Sequence, residues 1–189
     1  MRGETIVVFG ISGVGKTSSC LAFVAENPEH LHLSASELLR SAAAADPALL
    51  RIAPADRILE NQRLLPDALQ ARREGQWHRP VLIDAHSVVD NDRELVRVPV
   101  EVIRSLDPDG LLLLEEAPEI IAARRSELGS RRPARSIDQI VHEAEVARQA
   151  VLDYAKYLEL PLEVIDMGGK APLTFEGAVA ALKNRIRKP

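Results

Sequence analysis

The sequence predicts a three-layer α/β fold, a five-stranded parallel sheet with helices on both faces. Three observations carry this prediction. Short apolar runs alternate with longer helical patterns along the 189 residues. The runs are mainly apolar, as strands covered on both faces are. A glycine-rich turn joins the first run to the first helical pattern, which makes a strand–loop–helix unit.

The predicted strands are Thr5–Phe9, His30–Leu33, Val81–Ile83, Leu111–Leu114 and Leu162–Ile165. The first helix starts in the glycine-rich turn and ends near Asn27, because Pro28 restricts the residue before it. Ser36 can cap a helix through Arg40 and the alanines beyond. Asp56 to Glu74 reads as one or two helices with a break before Pro66. Glu119–Leu128 and Ile137–Leu158 are further helices. The last helix spans about Thr174 to Arg187, where Phe175, Val179, Leu182 and Ile186 form an apolar stripe suited to a core face.

Composition narrows the function. Apolar residues make up 46% of the chain and the net charge is −4, so nothing global marks a nucleic-acid binder and no nucleic-acid partner is expected. A single cysteine, Cys20, excludes an intrachain disulfide and a cysteine-based zinc cluster. Its position puts it on the inner side of the first helix as a small buried thiol. No apolar run is long enough to cross a membrane, so no membrane partner is expected. The N-terminus lacks the pattern of a signal peptide, and a cytoplasmic location is expected. No repeat or linker divides the chain, so one domain spanning 1–189 is expected.

Residues 10–17 read Gly-Ile-Ser-Gly-Val-Gly-Lys-Thr, which fits G-x-x-x-x-G-K-[ST]. Gly10, Gly13 and Gly15 let the backbone wrap closely, and its N–H groups, including those of Val14 and Ser18, can then face phosphate oxygens. The start of the helix adds partial positive charge. Lys16 would reach the β and γ phosphates of ATP, and Thr17 would ligate Mg²⁺. The fold class is therefore a three-layer P-loop NTPase fold. No guanine-binding Asn-Lys-x-Asp motif is present. A motor ATPase would be larger, so the length favours a small-molecule kinase.

A second phosphate site is suggested by Ser34-Ala35-Ser36-Glu37-Leu38-Leu39-Arg40 after the second strand. A helix N-terminus with a nearby arginine makes an anion site. An ordinary serine cap with a surface arginine is the alternative. Asp84, at the carboxyl edge of the third strand, stands where a carboxylate holds Mg²⁺ through water. His86 could touch an acceptor phosphate or hydrogen-bond to backbone.

These residues resemble a known family. Adenylate kinases carry Ser-Thr-Gly-Asp-x-Leu-Arg where this chain has Ser34 to Arg40, with Ala35 in place of the threonine. Val81-Leu82-Ile83-Asp84-Ala85-His86-Ser87 resembles the Val-Ile-Val-Asp-Thr-His-Ser of archaeal-type adenylate kinases, within the P-loop nucleoside monophosphate kinases. Leu106-Asp107-Pro108-Asp109, Glu115, the Arg124–Arg125 pair, Arg131, Ser136, Ile137, Asp138 and Arg148 extend the likeness over most of the chain. Bacterial adenylate kinases follow the aspartate with Gly-Phe-Pro-Arg; the archaeal type and this chain do not. Arg57 and Arg63 are candidates to fill that gap, or simply belong to a solvated helix face.

The resemblance implies an Mg²⁺-dependent nucleoside monophosphate kinase with ATP as donor and AMP as favoured acceptor. Ser34, Ser36, Arg40 and His86 would face the monophosphate, within a helical part of about residues 34–78. A short lid of about residues 126–137, too short for a zinc-bearing insert, would bring Arg131 or Arg135 over the transferring group. Arg148 would be a further phosphate contact, and Asp138 could pair with a lid arginine. Arg124, and Gly168 in the turn Ile165-Asp166-Met167-Gly168-Gly169-Lys170, would lie on the adenine side. Such charge on a closing segment stabilises the transferred phosphoryl group and excludes water. Archaeal-type adenylate kinases commonly form trimers, so a homo-oligomer fits the resemblance. Two other readings stand beside this one. One is a P-loop kinase for another small acceptor, with Asp84 as base. The other is an ATP-dependent assembly or binding factor, because eukaryotic relatives linked to ribosome assembly share the Asp-x-His after the third strand.

Overall fold

The computed structural model describes residues 2–43, 53–127, 135–168 and 174–186. Its main sheet is built from β1 (Thr5–Phe9), β2 (Leu31–Ser34), β3 (Val81–Asp84), β6 (Gly110–Glu115) and β7 (Leu162–Asp166). The strands are parallel, in the order β2-β3-β1-β6-β7. β1 is central and buried at every residue, which explains why its sequence shows no polar alternation.

Alternate residues of each strand feed two cores. Val7, Phe9, Leu111 and Leu113 pack on one face, with Ala147, Val151 and Tyr154 of α7 (Ile137–Leu158). Ile6, Val8, Leu112 and Leu114 pack on the other, with Cys20 and Phe23 of α1 (Lys16–Glu26) and Val179 and Leu182 of α8 (Phe175–Ile186). This is the predicted three-layer arrangement. Cys20 is fully buried, and burial pushes its thiol pKa up, so the group is neutral packing.

Helix boundaries follow local chemistry. α1 stops at Glu26, and Asn27 closes it by donating its backbone N–H to the Phe23 carbonyl. α7 opens on a capping box: Ser136 Oγ accepts from the Gln139 N–H at 3.2 Å, and Gln139 Oε1 accepts from the Ser136 N–H at 2.9 Å. Asp56 to Glu74 resolves into α3 (Ala55–Gln62) and α4 (Leu65–Arg73), with Pro66 in the first turn of α4.

Three features differ from expectation. α2 (Ala35–Ala43) begins directly after β2, so Ser36 lies inside its first turn and does not cap it. β2 starts one residue later than predicted. His30 precedes it, with its ring edge-on to Phe23 at a centroid distance of 5.0 Å and its Nε2 2.9 Å from Lys183 Nζ. Burial and the Lys183 charge lower the His30 pKa, so the neutral ring accepts from the ammonium. Finally, β4 (Val88–Asp90) and β5 (Leu95–Arg97) form an antiparallel hairpin followed by α5 (Val100–Ser105). The hairpin turns at Asn91 and Asp92, with Asp92 at φ 72.

Sheet register positions the site. Asp84 is level with Val8 on β1 and with Ser34 on β2. The carboxyl edge of the sheet therefore gathers the phosphate loop, the start of α2 and Asp84 in one place.

Candidate active site

The loop between β1 and α1 is shaped by its glycines. Gly10, Gly13 and Gly15 have φ values of 149, 87 and 103, which strain any residue with a Cβ. At Gly10 a Cβ would also sit 2.8 Å from the Leu114 carbonyl oxygen. Gly15 leads directly into α1, whose first turn holds no acidic residue to offset its partial positive charge. Val14 is buried and anchors the loop, whereas Thr17 and Ser18 are exposed at the helix start. Lys16 is buried and folds back over the loop, with Nζ 2.7 Å from the Gly10 carbonyl oxygen and 3.1 Å from that of Ile11.

Asp84 links the loop to α2. Thr17 Oγ1 donates to Asp84 Oδ2 at 2.9 Å, and Ser34 Oγ donates to Oδ1 at 3.2 Å. His32 Nε2 lies 2.8 Å from Oδ2, and Ser34 Oγ lies 3.0 Å from Ser36 Oγ. Burial pushes the Asp84 pKa up, but hydrogen bonds from His32 and Thr17 and the charges of His32 and Lys16 outweigh it and hold the carboxyl below its ordinary value. Among the described residues no group of three His, Cys, Asp or Glu could hold a metal. The Thr17 hydroxyl and the Asp84 carboxylate are hard oxygen donors that suit Mg²⁺ completed by phosphate and water.

On the acceptor side, Arg40 is half-exposed on α2 and lies 3.3 Å from Glu37 Oε1. His86 is half-buried just past β3. Its neighbour Ser87 is pinned to α7, donating Oγ to the Ala147 carbonyl at 3.1 Å and accepting from the Tyr154 hydroxyl at 3.2 Å. Arg57 Nη1 bonds to Glu60 at 2.8 Å on an exposed face, and Arg63 is exposed at the end of α3.

The arginines after β6 divide by partner. Arg124, on α6 (Pro118–Glu127), points Nη1 at the carbonyls of Gly13 and Val14, both at 3.3 Å, and Nη2 at Glu116 Oε2 at 3.1 Å. Glu116 also borders Gly168: a Cβ there would lie 3.2 Å from both Glu116 and Asp166. Arg124 and Gly168, both expected on the adenine side, thus share one carboxylate neighbour. Arg125 donates Nε to the Ser12 carbonyl at 2.9 Å and grips Glu143 with both terminal nitrogens at 2.8 and 3.0 Å. Arg148 Nη1 pairs with Glu115 Oε2. Arg135 is bidentate to Asp90, at 2.8 and 3.0 Å, and reaches Asp92 at 2.7 Å. The carboxylates that hold it are thus Asp90 and Asp92, on the β4–β5 hairpin. Arg131 lies outside the described residues.

The structure thus brings Lys16, Thr17, Ser34, Ser36 and Asp84 together and sets Arg124 on the loop. Sequence reasoning missed His32, Glu116, Glu143 and the Asp90–Asp92 pair. A histidine two residues before Ser34, on the same strand face, was the signal available for His32.

A family model described as an AAA domain, AAA_17, matches residues 9–141. The adenylate kinase of Pyrococcus abyssi is 28% identical over 90 residues, 47% of this chain and 46% of that protein. That of Pyrococcus horikoshii is 29% identical over 111 residues, 57% of each chain. The chain thus spans about half the length of these curated relatives. The adenylate kinase of Methanopyrus kandleri is 26% identical over 174 residues, 87% of this chain and 89% of that one. Among solved structures, shikimate kinase from Bacteroides thetaiotaomicron superposes with a TM-score of 0.51 at 13% identity, covering 96% of both chains. That likeness shows a shared P-loop kinase fold.

Proposed function

We propose that this chain, which belongs to the AAA_17 family of AAA domains, is an Mg²⁺-dependent nucleoside monophosphate kinase, most simply an adenylate kinase catalysing ATP + AMP ⇌ 2 ADP. One observation carries the reading. The Asp84 carboxylate accepts hydrogen bonds both from Thr17 of the phosphate loop and from Ser34, the last residue of β2 before α2. The donor-phosphate loop and the junction of β2 with α2 therefore meet at one group. The similarity to archaeal adenylate kinases supports the same acceptor class.

In this reading, loop N–H groups and Lys16 hold the donor phosphates. Lys16 exchanges its contacts with the carbonyls of Gly10 and Ile11 for phosphate oxygens. Thr17, with Asp84 acting through water, would hold Mg²⁺, which supplies charge neutralisation at the β and γ phosphates. Residues of about 34–78, with Ser34, Ser36, Arg40 and His86, form the monophosphate side. Arg131, Arg135 and Arg148, from and around a lid of about 126–137, neutralise the group in flight. Arg135 does so by exchanging Asp90 and Asp92 for phosphate. Arg124 and Gly168 border the adenine.

The acceptor is already an anion, so no general base is needed and alignment with charge neutralisation suffices. Incubation with Mg-ATP and a panel of nucleoside monophosphates, nucleosides and sugars tests the reading. Phosphorylation of AMP ahead of the other acceptors is expected. ATP binding with no monophosphate turned over would defeat it.

A further inference from the structure

We infer that Arg125 and Glu143 are positioning residues for the donor-phosphate loop, an inference that rests on the nucleotide-binding reading of Gly10 to Thr17. The side chains of Arg125 and Glu143 are 9% and 6% exposed and form a closed pair between α6 and α7. Burying an ion pair away from water is costly unless its geometry is complete. Here it is complete. Both terminal nitrogens of Arg125 meet Glu143, at 2.8 and 3.0 Å, and the remaining Nε donates to the Ser12 carbonyl at 2.9 Å.

That last contact acts on the loop. Ser12 C=O and Gly13 N–H belong to one planar trans peptide and point in opposite directions. Drawing the carbonyl toward α6 turns the Gly13 N–H away from α6. Gly13 allows this orientation at φ 87, and its Cα side rests on Arg125 and Ile121, where an added Cβ would meet their side chains at 3.3 and 3.4 Å. The guanidinium thus sets one peptide plane at the apex of the loop, and Glu143 fixes the guanidinium. A lysine could keep the charge pairing but could not serve Glu143 and Ser12 together, because it lacks the planar fork.

The test measures Mg-ATP and AMP affinity by calorimetry on the full chain, with a thermal melt of each variant. Arg125→Lys should weaken Mg-ATP binding by about tenfold, because the freed Ser12–Gly13 peptide must be reordered when phosphate binds, and leave AMP affinity within about twofold. The swapped double variant Arg125→Glu/Glu143→Arg should recover melting temperature relative to Arg125→Glu alone. It should not recover Mg-ATP affinity, because a carboxylate at 125 cannot donate to Ser12. Should the swap fail to fold, Arg125→Lys and Glu143→Gln decide the matter. Unchanged Mg-ATP affinity in folded Arg125→Lys, or recovery of both properties in the swap, would overturn the inference. Failure of the unaltered chain to bind Mg-ATP would instead defeat the nucleotide-binding reading itself. Mg-ATP binding without phosphorylation of any acceptor would defeat only the kinase reading.

Discussion

Thr17 Oγ1 and Asp84 Oδ2 lie 2.9 Å apart, joining the first turn of α1 to the end of β3. The two oxygens are therefore neighbours where the loop meets the strand, and in the proposed reading Thr17, with Asp84 acting through water, would hold Mg²⁺ there.

Asp84→Asn keeps the size of the side chain and removes its charge. Its activity should fall by about 100-fold, in line with the loss of a supporting group at a metal site, and should require more Mg²⁺ for half-maximal rate. A titration of rate against Mg²⁺ concentration measures both effects. An unchanged Mg²⁺ requirement would remove Asp84 from the ion's surroundings.

Lys16→Ala deletes the buried ammonium that sits over the loop. Phosphoryl transfer should drop by about 10²–10³-fold, the usual loss for one donor that stabilises transition-state charge. The fold should persist, because the two hydrogen bonds to the carbonyls of Gly10 and Ile11 lie in the loop beyond β1 and not within the sheet. Circular dichroism and a coupled transfer assay separate the two effects.

His32→Ala leaves the buried Asp84 carboxylate one donor short. A loss of about 1–3 kcal/mol in unfolding free energy is expected, measured by urea denaturation. His32→Gln should restore part of it, since its amide nitrogen can occupy the place of Nε2. Equal losses in both variants would mean that ring packing, not the hydrogen bond, is what His32 contributes.

Arg135→Ala should cut the transfer rate by about 10²-fold if the arginine meets the transferred group as proposed, and it should also alter acid stability. Burial raises the Asp90 pKa, but the hydrogen bonds from Arg135 and the Asp92 N–H outweigh it, so the carboxyl titrates below its ordinary 3.8. A depressed carboxyl contributes stability that is present above 3.8 and lost as pH falls through the folded value. The stability gap between the unaltered chain and Arg135→Ala should therefore be full at pH 7 and close below about pH 4. Denaturant curves across that range check it. A gap that stays constant with pH would assign the loss to packing.

Much of the fold was legible because it is periodic or local. Apolar runs marked the inner strands β3, β1 and β6 most clearly, since a strand covered on both faces leaves little room for polar residues, while the edge strands β2 and β7 carry His32 and Glu163. The hairpin of β4 and β5 was not found, because strands of three residues carry too little pattern. Ser36 was misplaced because a cap depends on where the backbone leaves the strand, and β2 passes into α2 without a loop.

By itself the sequence determined the loop from Gly10 to Thr17 and the strand-edge position of Asp84. A phosphate cradle is contiguous backbone, and its glycines and lysine act at fixed spacing. Only the tertiary structure decided what surrounds them. His32 reaches Asp84 across 52 residues, Arg135 reaches Asp90 across 45, and Arg125 joins Ser12 to Glu143 across two helices. Each bond requires donor and acceptor within about 3 Å, and strand register and helix packing, not spacing along the chain, bring them that close.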